Sequence, residues 1–158
     1  MSASRKEQIL DKIEARMNGI KTSNIAYDDV YYQNDVGYVD RQFFNITTEE
    51  VKSHPSNWVV INEIKEEYKA LIGGSWENKI QLQIIGFVRA LQQQDKLGTL
   101  MNSLQKDIKL AMLKDVELDR LCDWLVPVSN HIVDNLIYPY GGTVIYFDIT
   151  YTTQGIEI

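Results

Sequence analysis

One cysteine and two histidines in 158 residues leave little room for metal or thiol chemistry. The lone thiol, Cys122, forms no internal disulfide and supplies no multi-cysteine zinc site. His54 and His131 stand 77 positions apart, in none of the HxH, HxxxH or HExxH spacings that bring two imidazoles to one ion. Asp119 and Asp123 flank Cys122, and negative charge raises a thiol pKa, so a small buried thiol is expected rather than a nucleophile. Neither a Walker-type GxxxxGK motif nor GxGxxG is present to cradle phosphate. Acidic neighbours such as Asp28-Asp29 and Glu66-Glu67 read as solvated surface before acid–base machinery. The expectation is a protein with no catalytic residues, no metal and no cofactor.

Positive charge is also scarce. Sixteen basic residues stand against 22 acidic, a formal net charge of −6. Residues 1–74 carry 9 basic and 12 acidic side chains, so neither half is basic enough to grip phosphates. Nucleic-acid binding is therefore not expected to be the main task. The N-terminal MSASRKEQIL has no apolar signal-peptide core, and no run approaches the ~18–20 apolar residues that span a bilayer. A protein made in the cytoplasm, with no membrane contact, is expected. Internal repeats and low-complexity linkers are missing too, and residues 1–158 read as one domain.

What the chain does have is a long alternating stretch, Ser75–Leu91. Ile80, Leu82 and Ile84 alternate with Lys79, Gln81 and Gln83, the period of a strand with one buried face. At Ile84-Ile85-Gly86 the alternation slips, and Ile85 and Phe87 continue it in the opposite phase, which predicts a bulge or a sharp twist at the glycine. At up to about 15 residues this strand exceeds the usual ~5–6 and predicts an end that meets another molecule. Thr143–Thr153 is a second strong strand, with Ile145, Phe147, Ile149 and Tyr151 on one face.

Two helices flank these strands. Ser4 and Glu7 have capping-box spacing, followed by Ile9, Leu10, Ile13, Met17 and Ile20 on one face and Gly19 as a left-handed stop. Packing on its own sheet outweighs partner binding as the role of this helix. Leu97–Lys114 is the second helix, with Leu100, Leu104, Ile108 and Met112 spaced by fours and Thr99 as a possible cap. Residues 21–57 predict irregular strands or an extended loop, with Tyr27, Tyr31, Tyr32 and Tyr38 available for packing or a protein interface. Thr47 or Thr48 with Glu49-Glu50 would start a short helical turn there, stopped at His54-Pro55. Trp58–Ile64 and Glu66–Ile72 predict two strands, the second turning at Gly73-Gly74 into the long strand as a hairpin. After a loop or single turn over Val116–Leu121, Leu125–Val133 predicts an edge strand or bulge because it contains Pro127. Tyr138-Pro139-Tyr140-Gly141-Gly142 predicts a turn.

Four stretches carry a family likeness: Ile9–Ile20, IQLQIIGFVRA at Ile80–Ala90, LQKDIKLAMLKD at Leu104–Asp115, and VIYFDITYTTQG at Val144–Gly155. In this order they resemble the tail-terminator (tail-to-head joining) proteins of long-tailed bacteriophages, in which a long strand precedes a helix of the form L-x-x-D-I-x-x-A. Residues 21–57 match nothing in that pattern, and the ending QGIEI departs from the family's Asp-Pro ending. The resemblance implies an α+β fold: an antiparallel sheet with two helices on one face, a long hairpin, and a subunit that forms a homo-oligomeric ring of six. Such a ring would cap the tail tube and face the neck or head-completion protein, with the tail sheath as a further contact. DNA would pass through it without specific binding. The implied location is the tail–neck junction of the virion, reached from the host cytoplasm. Trp76, Tyr138 and Tyr140, beside glycine turns, and Tyr146 are the expected subunit or partner contacts. Another ring-forming neck or head-completion protein is the alternative; a small-ligand-binding or enzymatic α+β domain is a third.

Overall fold

Ser4 opens the first helix, α1 (Arg5–Asn18), its Oγ accepting the Glu7 N–H at 3.1 Å. Only half of the capping box forms, because Arg41 takes the Glu7 carboxylate at 2.8 Å. Gly19 ends the helix but does so at φ −81°, in the right-handed region rather than the left-handed one expected of it. The computed structural model describes residues 3–41, 51–54, 57–92, 96–133, 136 and 138–154. The helical turn expected from Thr47–Glu50 lies outside them.

After α1 the chain forms a small hairpin, β1 (Ile25–Tyr27) and β2 (Val30–Tyr31), then β3 (Tyr38–Asp40). Next come β4 (Trp58–Ala70), β5 (Ser75–Arg89), helix α2 (Leu97–Leu113), β6 (Trp124–Ile132) and β7 (Tyr140–Gln154). The main sheet has the order β3-β4-β5-β7-β6. The fold is thus α+β. Four of its strands are antiparallel neighbours, but β3 joins β4 in parallel, Tyr38 opposite Trp58. The stretch 41–57 between them is long enough for the crossover that a parallel pair requires. The two strands expected over Trp58–Ile72 are one, and it turns at Gly73 and Gly74, both at positive φ, into β5. Lys96, not Thr99, occupies the N-cap of α2, and it makes no side-chain capping bond.

Both helices lie on one face of the sheet. Ile9, Ile13 and Met17 of α1 and Leu104, Ile108 and Met112 of α2 share a core with Ile80, Leu82, Ile84, Ile145, Phe147 and Ile149. The slip expected at Gly86 does not occur: β5 and β7 pair without a register shift from Ser75–Gln154 to Arg89–Tyr140. Ile85 and Phe87 are apolar because the opposite face is also buried here, in a second cluster with Trp58, Val60 and Val144. Gly86 points at the helix. A Cβ there would lie 2.8 Å from Leu104 Cδ2 and 2.9 Å from Ile108 Cδ1, so the glycine is a point of close helix–sheet approach.

The sheet does carry a bulge, in β4 between Glu63 and Lys65. One inserted residue turns Glu63 (opposite Leu82) and Glu66 (opposite Ile80) to the same side, that of α1. Lys6 of α1 meets both, at 2.6 Å and 3.0 Å, and Tyr151 Oη donates to Glu66 at 2.8 Å. Burial opposes ionisation of Glu66, but the bonds from Lys6 and Tyr151 prevail and lower its pKa. Two further links join elements distant in sequence. Arg16 of α1 donates to Ala111 O, Asp115 O and Asp115 Oδ2, closing the C-terminal end of α2. Asp107 of α2 accepts the backbone N–H of Gln33 at 3.0 Å and of Asn34 at 2.9 Å, plus Asn34 Nδ2 at 2.8 Å. It therefore ties the segment after β2 to α2.

Candidate interaction surface

The helix-free face of the sheet changes character along its length. At one end its apolar cluster continues into a file of contacting rings: Tyr38 stacked on His54 at 4.7 Å, His54 tilted against Trp58 at 4.1 Å, and Trp58 stacked on Phe87 at 4.4 Å between centroids. Val51, Val133, Leu136, Tyr140 and Tyr146 belong to this cluster or pack against it. Towards the β4–β5 turn the same face becomes polar. Asn62 Nδ2 donates to Gln83 Oε1, and Gln83 Nε2 donates to the Tyr146 hydroxyl, each at 3.1 Å. Beyond them a depression of about 200 Å³ is lined by Lys65, Glu67, Lys79, Gln81 and Asp148. Its charges pair off, Lys65 with Glu67 at 3.0 Å and Lys79 with Asp148 at 3.4 Å. These ion pairs offer hydrogen bonds to a polar surface.

The rim of this sheet exposes a row of apolar side chains. Strand β6, WLVPVSNHI, carries no charged residue, forms the outer edge next to β7, and has eight of its nine residues exposed. Trp124, Val126, Val128 and Ile132 are between 43% and 60% exposed. Pro127 sits beside a bulge, as its presence at an edge predicts. Edge strands normally carry lysines or acids that discourage pairing with another chain, and this one carries none. It is suited to bury apolar side chains, and to extend its ladder, against a second protein.

The residues expected at contacts are not one patch. Tyr146 lies in mid-sheet, half-buried, its ring stacked 5.6 Å from His131. Tyr140 is half-buried at the start of β7, with the Arg89 guanidinium 5.7 Å from its ring centroid. Both pack on the second apolar cluster. Tyr138 is exposed near this end. Trp76 is half-buried opposite Ala70 and Thr153. The register of β5 separates it from the Arg89–Tyr140 end by roughly 40 Å at ~3.3 Å per residue. The four tyrosines of 27–38 also part company: Tyr32 is in the main core and Tyr38 stacks on His54, while Tyr27 and Tyr31 are exposed. The edge residues Trp124, Val126, Val128 and Ile132 were not singled out from sequence. The available signal was nine successive uncharged residues in a chain that is 24% charged.

Among the described residues no three His, Cys, Asp or Glu side chains cluster as a metal site, and no helix is long and apolar enough to cross a membrane. Cys122 is buried, and burial first, then Asp123, pushes its thiol up to about 11. It is a core thiol. No protein-family model matches the chain, and no curated protein matches it either.

Proposed function

We propose that this chain is a structural virion subunit that forms a ring, of six copies on the family resemblance, capping the tail tube of a long-tailed phage and joining it to the neck. The observation that carries the reading is the uncharged exposed edge β6, with the polar helix-free face beside it. A monomer leaves that edge bare, whereas a ring covers it with the next subunit. A second support is that the four stretches bearing the tail-terminator likeness fall on α1, β5, α2 and β7, each of which contributes to the main core. An acidic subunit, at −6, also suits a channel that lets DNA pass without holding it.

The test is light scattering and negative-stain imaging of the purified protein, alone and with assembled tail tubes. Closed rings that decorate tube ends are expected, and Val126→Lys with Val128→Lys should shift the protein towards monomer while leaving its circular dichroism unchanged. A strict monomer that ignores tube ends would overturn the reading. Rings that bind the portal side instead would move the protein to the neck or head-completion class.

A further inference from the structure

Helix α2 leaves part of its apolar surface uncovered beside the face that packs on the sheet. Leu104, Ile108 and Met112 face the sheet, but Leu110 is only half-buried and Leu113 is 39% exposed. Together with Tyr27 from β1 they floor a groove of about 420 Å³, within the ~300–1,000 Å³ range of ligand-binding clefts. Lys106, Lys109 and Lys114 line it, with Asn102 and Gln105 completing the wall.

The rim of this groove carries three lysines and no acid. Six basic residues elsewhere, Lys6, Lys12, Arg16, Arg41, Lys65 and Lys79, form ion pairs. Lys106, Lys109 and Lys114 form none among the described residues; Lys109 alone has a polar contact, 3.5 Å to Gln105 Oε1. The sole acid of α2, Asp107, is 1% exposed and committed to Gln33 and Asn34. A helix C-terminus favours a cation, which accounts for Lys114, but that effect fades within one turn and does not explain three unpaired lysines around an apolar floor. In a protein of net charge −6, this apolar groove is lined by three lysines and no acid.

We propose that this groove docks an acidic amphipathic segment of a partner protein, most simply a helix that sets apolar anchors on Leu110, Leu113 and Tyr27 and carboxylates against the three lysines. Charge complementarity selects the occupant, and the apolar floor selects peptide over phosphate backbone. The docking is independent of β6 and of the ring reading, since it uses a different element.

The probe is a fluorescein-labelled peptide with leucines at i, i+3 or i+4, and i+7, and glutamates on both flanks. Its control is a twin with lysines in place of the glutamates. The native chain should bind the acidic peptide, weaken as salt rises, and reject the twin. Lys106→Glu with Lys109→Glu and Lys114→Glu should lower affinity for the acidic peptide at least about tenfold and gain the twin, a reversal that no folding defect produces. Leu113→Ser should weaken the native interaction and leave its salt dependence in place. Failure of the native chain to bind the acidic peptide would overturn the proposal. So would duplex DNA binding abolished by the triple variant, which would make the groove a phosphate site. Self-association lost in that variant, without peptide binding, would make it a contact between copies.

Discussion

Replacing Asp107 by alanine should loosen one segment far more than it loosens the sheet. The carboxylate is almost fully buried and accepts from three donors, Gln33 N, Asn34 N and Asn34 Nδ2, at 2.8 to 3.0 Å. Each buried donor deprived of its acceptor costs about 1–3 kcal/mol, which summed over three would be severe. Two features lower that figure. Gln33 is exposed and Asn34 half-buried, so water can reach their N–H groups, and Asn34 Nδ2 keeps Ser103 Oγ at 3.1 Å. The expected loss for Asp107→Ala is therefore about 2–3 kcal/mol, equivalent to roughly 5–10 °C in a domain of this size. All three short bonds converge on Oδ2, so Asp107→Asn, whose single amide oxygen can take that place, should lose about half as much. Urea denaturation measures the total, with the slope m unchanged if only stability has moved. Hydrogen exchange localises it: the Gln33 and Asn34 amides should lose protection while those of β5 and β7 exchange only through global unfolding. A midpoint within error of the native protein, or exchange spread evenly over the sheet, would refute the view of Asp107 as the tether of this segment.

Gly86→Val should cost about 3 kcal/mol or more by driving a branched side chain into Leu104 and Ile108, and Leu104→Ala in the same chain should recover part of the loss by making room; calorimetry of the single and double variants checks both. Asp115 has its pKa lowered, first by the Asp119 N–H at 2.8 Å and also by Glu117 N–H and Arg16, so its stabilising effect is present above the unfolded carboxylate pKa and is lost as pH falls through the lower folded value. Asp115→Asn should therefore reduce stability at neutral pH and flatten the acid limb of the stability profile, read by thermal melts between pH 7 and the acid transition.

Period and composition were enough for the skeleton of this fold. Alternation in β5 and β7 and fourfold spacing in α2 identify which side of each element avoids water, and that is why the core face of Ile80, Leu82, Ile84, Ile145, Phe147 and Ile149 could be read directly. Pro127 likewise had to lie at an edge or bulge, because it has no N–H to give a central ladder. Tertiary structure decided what covers each face. Ile85 and Phe87 looked like a phase slip, yet the strand is regular and a second apolar layer buries them; an apolar residue in sequence does not say on which side its neighbours will stand. Gly86 signalled irregular backbone, but its cause is α2 approaching from outside the strand. Polar partners were still less legible. Asp107 finds its donors more than 70 positions away, and Arg16 reaches Asp115 across 99, because a hydrogen bond or ion pair depends on proximity in space and leaves no period along the chain. The exposed edge of β6 and the lysine-lined groove on α2 belong to the same class. Their residues were plain in the sequence, and only folding determined that nothing in the described chain lies against the outer side of one or pairs the charges of the other.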